Sequence, residues 1–184
     1  FEQSSGGERR LDWTRPERAL AEIRNCQSKY DGHLTIRYGI EIGQPHLFPE
    51  LTRRLLDSGP FDFVIASLHR LDGRDLSEYH YCTEELPDLS RRYLEELAQI
   101  AETCDFDCLG HFDLMARYAA RSGVAVDFLD LHADKCRQIL RRLAERDIGL
   151  EINTSGLRQG LERTMPGAAL LEQYHAAGGQ WVTV

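Results

Sequence analysis

Four segments carry side chains that metals and anions favour. Glu41 sits in GIEIG, His69 ends IASLH, and His111 opens a run, GHFDLMAR, that also holds Asp113 and Arg117. The fourth, LEINTSGLR, supplies Asn153, Ser155 and Arg158. Glutamate and histidine are ligands for zinc, manganese or iron, and a carboxylate can bridge two ions where an imidazole cannot. Asp113, two residues past His111, is suited to orienting that imidazole from behind. Arg117 and Arg158 carry the planar guanidinium that grips phosphate through two parallel hydrogen bonds. Asp113, Arg117 and Arg158 are therefore candidate catalytic groups, and Asn153, Ser155 and the two arginines candidate substrate contacts. The chemistry such a set supports is metal-assisted attack on an anionic substrate.

Each residue also has an ordinary reading. A histidine after a strand is commonly a hydrogen-bonded loop residue, and Glu41 between two isoleucines fits the solvent-facing position of an alternating strand. Asn153 is a good turn former, and both arginines fit surface charges. The chemical reading gains weight because the same residue types recur at one topological place.

That place follows from the elements. LTIRYGIEIG (Leu34–Gly43), FDFVIAS (Phe61–Ser67), FDCLG (Phe106–Gly110), IGLEIN (Ile148–Asn153) and QWVTV (Gln180–Val184) are apolar, β-branched strand candidates, the last read as buried. Between them run helical periods at Arg15–Tyr30, Phe48–Leu56, Asp88–Cys104, Asp127–Arg146 and Gly167–Ala177. Leu89, Tyr93, Leu97 and Ile100 form one apolar stripe; Phe128, Leu131, Ile139 and Leu143 form another, with Asp127 as N-cap. Strand–helix–strand at this spacing implies right-handed crossovers and a parallel sheet, whose site opens at the carboxyl ends of the strands. No GxGxxG follows the first strand, so a barrel is favoured over a doubly wound dinucleotide fold. Leu71–Pro87 has no clear period and reads as a long loop over one end of the sheet.

Bulk properties narrow the partners. The 184 residues, 42% hydrophobic and 28% charged, suit one globular domain. A net charge of -8 argues against a nucleic-acid partner. No apolar run approaches the ~18 residues of a membrane span, and the polar opening FEQSSGGERRLDW lacks a signal-peptide core, so no membrane partner and a cytoplasmic location are expected. Five cysteines fit reduced thiols, with Cys104 and Cys108 assigned to packing. His80 is a lesser candidate for touching substrate.

In this order and spacing, GIEIG, FDFVIASLH, LGHFDLMARY, GLEINTSGLR and GGQWVTV resemble the histidinol-phosphatase branch of the PHP (polymerase and histidinol phosphatase) family, over nearly all of the chain from Leu34 onward. The resemblance implies an α/β fold, a distorted (β/α)7 TIM-like barrel holding a cluster of two or three divalent ions (Zn, Mn or Fe). It implies Glu41 as bridging carboxylate, His69 and His111 as imidazole ligands, and Arg117 and Arg158 as phosphate contacts. The implied reaction is hydrolysis of L-histidinol phosphate, a small phosphorylated substrate, to L-histidinol and phosphate in histidine biosynthesis. The family's opening His-x-His strand and closing Asp-x-His pair have no counterpart here. The expectation is therefore one barrel domain over residues 1–184, incomplete at both ends, whose open strand edges leave room for self-association. A barrel fragment that binds without turnover is one alternative; a PHP phosphoesterase acting on a nucleotide or another small phosphorylated molecule is the other.

Overall fold

The computed structural model describes residues 14–184; the polar stretch 1–13 lies outside them. Helix α1 (Thr14–Lys29) leads to strand β1 (Gly39–Gly43), a 3-10 turn at Pro45–Leu47 and helix α2 (Pro49–Leu56). Strand β2 (Phe63–Ser67) is followed by a small hairpin, β3 (Arg70–Leu71) with β4 (Arg74–Asp75), and a 3-10 turn at Leu76–Glu78. Then come α3 (Leu86–Thr103), β5 (Cys108–Leu109), α4 (Leu114–Arg121), α5 (Phe128–Glu145), β6 (Gly149–Glu151), α6 (Ala168–Ala176) and β7 (Val182–Thr183).

Five strands form one parallel sheet in the order β1-β2-β5-β6-β7. The order follows the chain without reversal, as in a barrel and unlike a doubly wound sheet with its switch point. The barrel does not close: β1 pairs only with β2, and β7 only with β6, among the described residues. Contrary to the expected buried last strand, β7 is an edge with Val182 44% exposed. Strands are shorter than the apolar runs that signal them; Leu34–Tyr38, for instance, lies outside β1.

The core lies between the sheet and its helices. Leu89, Tyr93, Leu97 and Ile100 of α3 are each 4% exposed or less, so the four-, four- and three-residue steps do line one buried face. On α5 the stripe is broken: Phe128, Ile139 and Leu143 are buried, whereas Leu131 is 37% exposed. The cause is a non-helical residue, His132 (φ -146°, ψ 43°), which shifts the phase of the helix. Its Nε2 lies 2.8 Å from Ser90 Oγ and 3.1 Å from the Pro87 carbonyl, tying the kink to the first turn of α3. Asp127 caps α5 as expected, accepting from the N–H groups of Leu129 and Asp130 at 2.8 and 3.2 Å.

The loop expected over Leu71–Pro87 is revised, and one helix is absent from the sequence expectations. The segment after Leu71 is an ordered hairpin and turn, pinned by Tyr79 Oη and Tyr81 Oη on the carbonyls of Leu71 and Leu76 at 2.6 and 2.7 Å. Helix α4, with Leu114, Met115, Ala116 and Ala119 buried, has too few periodic positions to stand out in the sequence. No helix among the described residues is long and apolar enough to cross a membrane. Replacing Leu97, which is fully buried, by alanine is expected to cost about 2–5 kcal/mol in urea unfolding. A midpoint unchanged from wild type would show that α3 does not carry the core.

Candidate metal centre

Parallel register brings the polar residues together at one sheet end. Glu41 is the third residue of β1, Ser67 ends β2 opposite Gly43, and His111 comes two residues after β5. His69 Nε2 and His111 Nε2 lie 3.1 Å apart, and they stand 3.2 and 3.4 Å from one oxygen, Glu41 Oε1. An ion with tetrahedral ligands at about 2.0–2.1 Å has ligand–ligand edges of about 3.3–3.4 Å. The three donor atoms thus form a triangle of the size that one face of such a shell requires. The hydrogen-bonded imidazoles of His111 and His69 hold the Glu41 carboxyl well below the usual carboxylate range, outweighing the opposing effect of burial. The Ser67 hydroxyl adds a hydrogen bond of 2.5 Å to the same oxygen.

The backbone around the triangle is held by groups that are not themselves part of it. Gly110 is required for space, because a Cβ there would stand 2.6 Å from Ser67 Oγ, the hydroxyl that fixes Glu41. The next residue, His111, adopts φ +23°, a conformation side-chain-bearing residues rarely take. Its N–H donates to Glu151 Oε2 at 2.8 Å, so a carboxylate at the end of β6 holds the strained peptide in place. Gln44 is fully buried at the end of β1. In the amide orientation that satisfies both its polar atoms, its oxygen accepts from the N–H groups of His69 and Arg70, each at 2.8 Å.

A hydrogen-bonded chain runs outward from Glu151. Asn153 Nδ2 donates to Glu151 Oε1 at 3.2 Å, and Asn153 Oδ1 accepts from Ser155 Oγ at 2.6 Å and from Ser155 N–H at 3.0 Å. Arg117 Nη1 reaches Ser155 Oγ at 3.4 Å, its Nη2 donates to Tyr118 Oη at 2.9 Å, and its guanidinium lies over the Tyr118 ring. Arg117, Asn153 and Ser155 therefore meet in one network with the support of His111. Arg158 does not join it; it is exposed at the end of a 3-10 turn.

Asp113 differs from the expectation of a group orienting His111. It is fully buried, and its Oδ2 accepts from Arg163 Nη1 at 2.6 Å. His111 Nδ1 has no hydrogen-bond partner among the described residues. Burial pushes the Asp113 carboxyl up against the pull of Arg163, the usual balance for a buried ion pair. The reason is geometric: Asp113 is the N-cap of α4 and turns outward to the loop before α6 rather than back toward the sheet end. Arg163, Glu151 and Gln44 escaped the sequence reading. Glu151 alone carried a signal, as an acidic residue within an apolar strand. The five cysteines are all free, and Cys104 and Cys108 are packed in the interior.

A sequentially ordered, unclosed parallel barrel with imidazoles and a carboxylate gathered at its strand ends defines a class of α/β proteins with metal-ligand clusters at the sheet rim. The PHP domain matches residues 16–155, and the chain belongs to that family. It is 29% identical over 168 residues to a histidinol-phosphatase of Lactococcus lactis subsp. lactis, an alignment covering 89% of this chain and 61% of that protein. The crystal structure of histidinol phosphate phosphatase from the same organism, complexed with zinc, L-histidinol and phosphate, superposes with a TM-score of 0.74 at 25% identity. That match covers 91% of this chain and 64% of the other. A structure from Listeria monocytogenes, at TM-score 0.77 and 20% identity over 92% of this chain and 70% of its own, shares the fold. The chain spans between 57% and 61% of the length of the curated relatives it matches.

The geometry makes Glu151 a positioning residue. Glu151→Ala is expected to weaken zinc binding about 10–100-fold in competition with a chromophoric chelator, whereas Glu151→Gln, whose amide oxygen can still accept from His111 N–H, loses less. Equal affinity in all three proteins would remove Glu151 from the support of the cluster.

Proposed function

We propose that this chain carries the metal-binding wall of a phosphate monoester hydrolase, acting on L-histidinol phosphate to give L-histidinol and phosphate. The observation that carries the reading is the triangle of Glu41, His69 and His111 at the strand ends of a PHP domain. Its donor set suits zinc, manganese or iron: two imidazoles and one carboxylate held well below the usual carboxylate range. Glu41, His69 and His111 would hold such ions, two or three of them by the family resemblance. When bound, a divalent cation supplies Lewis-acid chemistry, neutralising phosphate charge and making a hydroxide available near neutral pH.

The residues of the chain do the rest. Glu41, His69 and His111 fix the position of the positive charge to which the phosphate is drawn. Arg117, held by Ser155 and lying over the Tyr118 ring, is the guanidinium assigned to the phosphoryl oxygens, where negative charge gathers as the bond to the leaving alcohol breaks. Asn153 and Ser155 keep that arm in register with Glu151 and His111, and so couple substrate grip to the metal ligands. Arg158, exposed on the neighbouring turn, is free to swing toward the same anion. Asp113 contributes through its ion pair with Arg163, which fixes the start of α4, the helix carrying Arg117.

Phosphate release from L-histidinol phosphate by the purified chain, with zinc or manganese supplied, tests the reading. Glu41→Gln and His111→Ala are each expected to lower the rate by more than about 100-fold, above the range for supporting residues. Undiminished release in either variant would remove that residue from the assignment. Faster turnover of a nucleotide than of histidinol phosphate would move the substrate to another branch of the family.

A further inference from the structure

A second group of metal-ligand side chains lies away from the strand ends, in the turn between β4 and α3. His80, Cys82 and Glu85 offer a ring nitrogen, a sulfur and a carboxylate oxygen that all lie within 4.8 Å of one another. The backbone explains the convergence. Tyr81 is buried, with its hydroxyl on the Leu76 carbonyl at 2.7 Å, and Leu86 is buried at the start of α3. Cys82 and Glu85 lie between these two anchors, and His80 directly precedes the first. The peptide between them is closed by Leu86 N–H on the Cys82 carbonyl at 3.1 Å and by Leu89 N–H on the Glu85 carbonyl at 3.0 Å.

None of the three side chains is committed elsewhere among the described residues. Glu85 is the N-cap residue of α3, yet its carboxylate makes no capping hydrogen bond. The thiol of Cys82 is unbridged and half-buried, and His80 is exposed. Ligand atoms around a tetrahedral zinc stand about 3.3–3.8 Å apart, so closure on an ion needs about 1 Å of movement by side chains that solvent leaves free to rotate.

We propose that His80, Cys82 and Glu85 form a site for one zinc-like divalent cation, with solvent in the remaining position. The sulfur sets its selectivity. A thiolate favours zinc or cobalt over magnesium, calcium or manganese, whereas the Glu41 cluster holds nitrogen and oxygen donors alone. Binding releases the thiol proton and closes a six-residue span. The ion clips the turn to the first residues of α3 and stabilises the hairpin region beside His69. The site does not depend on the phosphatase reading, since none of its ligands touches the Glu41 cluster.

Cobalt(II) added to the purified chain is the probe. A thiolate ligand gives a sulfur-to-cobalt charge-transfer absorption in the near ultraviolet, which imidazole and carboxylate ligands do not. The expected result is that this band appears in the wild type and in Glu41→Gln and vanishes in Cys82→Ser, with phosphate release by Cys82→Ser unchanged. His80→Ala and Glu85→Ala are expected to weaken cobalt binding, read from the same band, by at least about tenfold each. Absence of the band in the wild type overturns the site, as does its persistence in Cys82→Ser. Wild-type affinity in both His80→Ala and Glu85→Ala would likewise overturn it, leaving an adventitious thiol contact only.

Discussion

Two imidazole nitrogens 3.1 Å apart, each within 3.4 Å of the same carboxylate oxygen, define the constraint on which the strand-end architecture depends. Lone pairs on three such atoms repel unless something positive lies among them, either a proton or a cation. The surroundings favour the arrangement before a cation arrives. Glu41 stays ionised, Ser67 fixes its inner oxygen, and the peptides before both histidine rings are anchored by the side chains of Gln44 and Glu151. A site organised in this way loses little freedom when its ligand binds, which is the origin of tight metal affinity on a rigid scaffold.

The same anchoring extends to the anion side. From His111 through Glu151, Asn153 and Ser155 to Arg117, each polar group satisfies the next, and the two ends of the chain are a metal-ligand candidate and a phosphate-binding candidate. Partly buried networks of this kind are stiff when complete and costly when broken. The chain thus links Arg117 to the peptide of His111 across separate elements of the sheet and its helices. The ion pair of Asp113 with Arg163 lies behind this chain, locking the loop before α6 to the start of α4.

Much of this was legible in the sequence, for identifiable reasons. Glu41, His69 and His111 each lie within or just beyond an apolar run, and parallel strands bring such positions to one rim whatever their separation along the chain. The α3 stripe was clear because its period is unbroken, whereas the α5 stripe was misread at Leu131 because a kink at His132 has no signature in hydrophobic spacing. The roles of Gln44 and Glu151 were hidden for a different reason, although Glu151 stood out as an acidic residue within an apolar strand. They act on backbone N–H groups, and no residue type announces that its partner is a peptide. Asp113 was misassigned because proximity in sequence to His111 suggested contact, while its actual partner, Arg163, lies 50 positions away.

The left-handed backbone at His111 has a consequence for how the sheet assembles. Because alternate residues of a strand face opposite sides, sliding β6 by one position against β5 would carry the Glu151 carboxylate through to the helix-covered face. The peptide of His111 would then be twisted with nothing to compensate it. Only one alignment of the two strands relieves that twist, so the candidate metal centre doubles as a check on correct strand pairing, and a misaligned sheet would be penalised at the very spot where the candidate ligands converge.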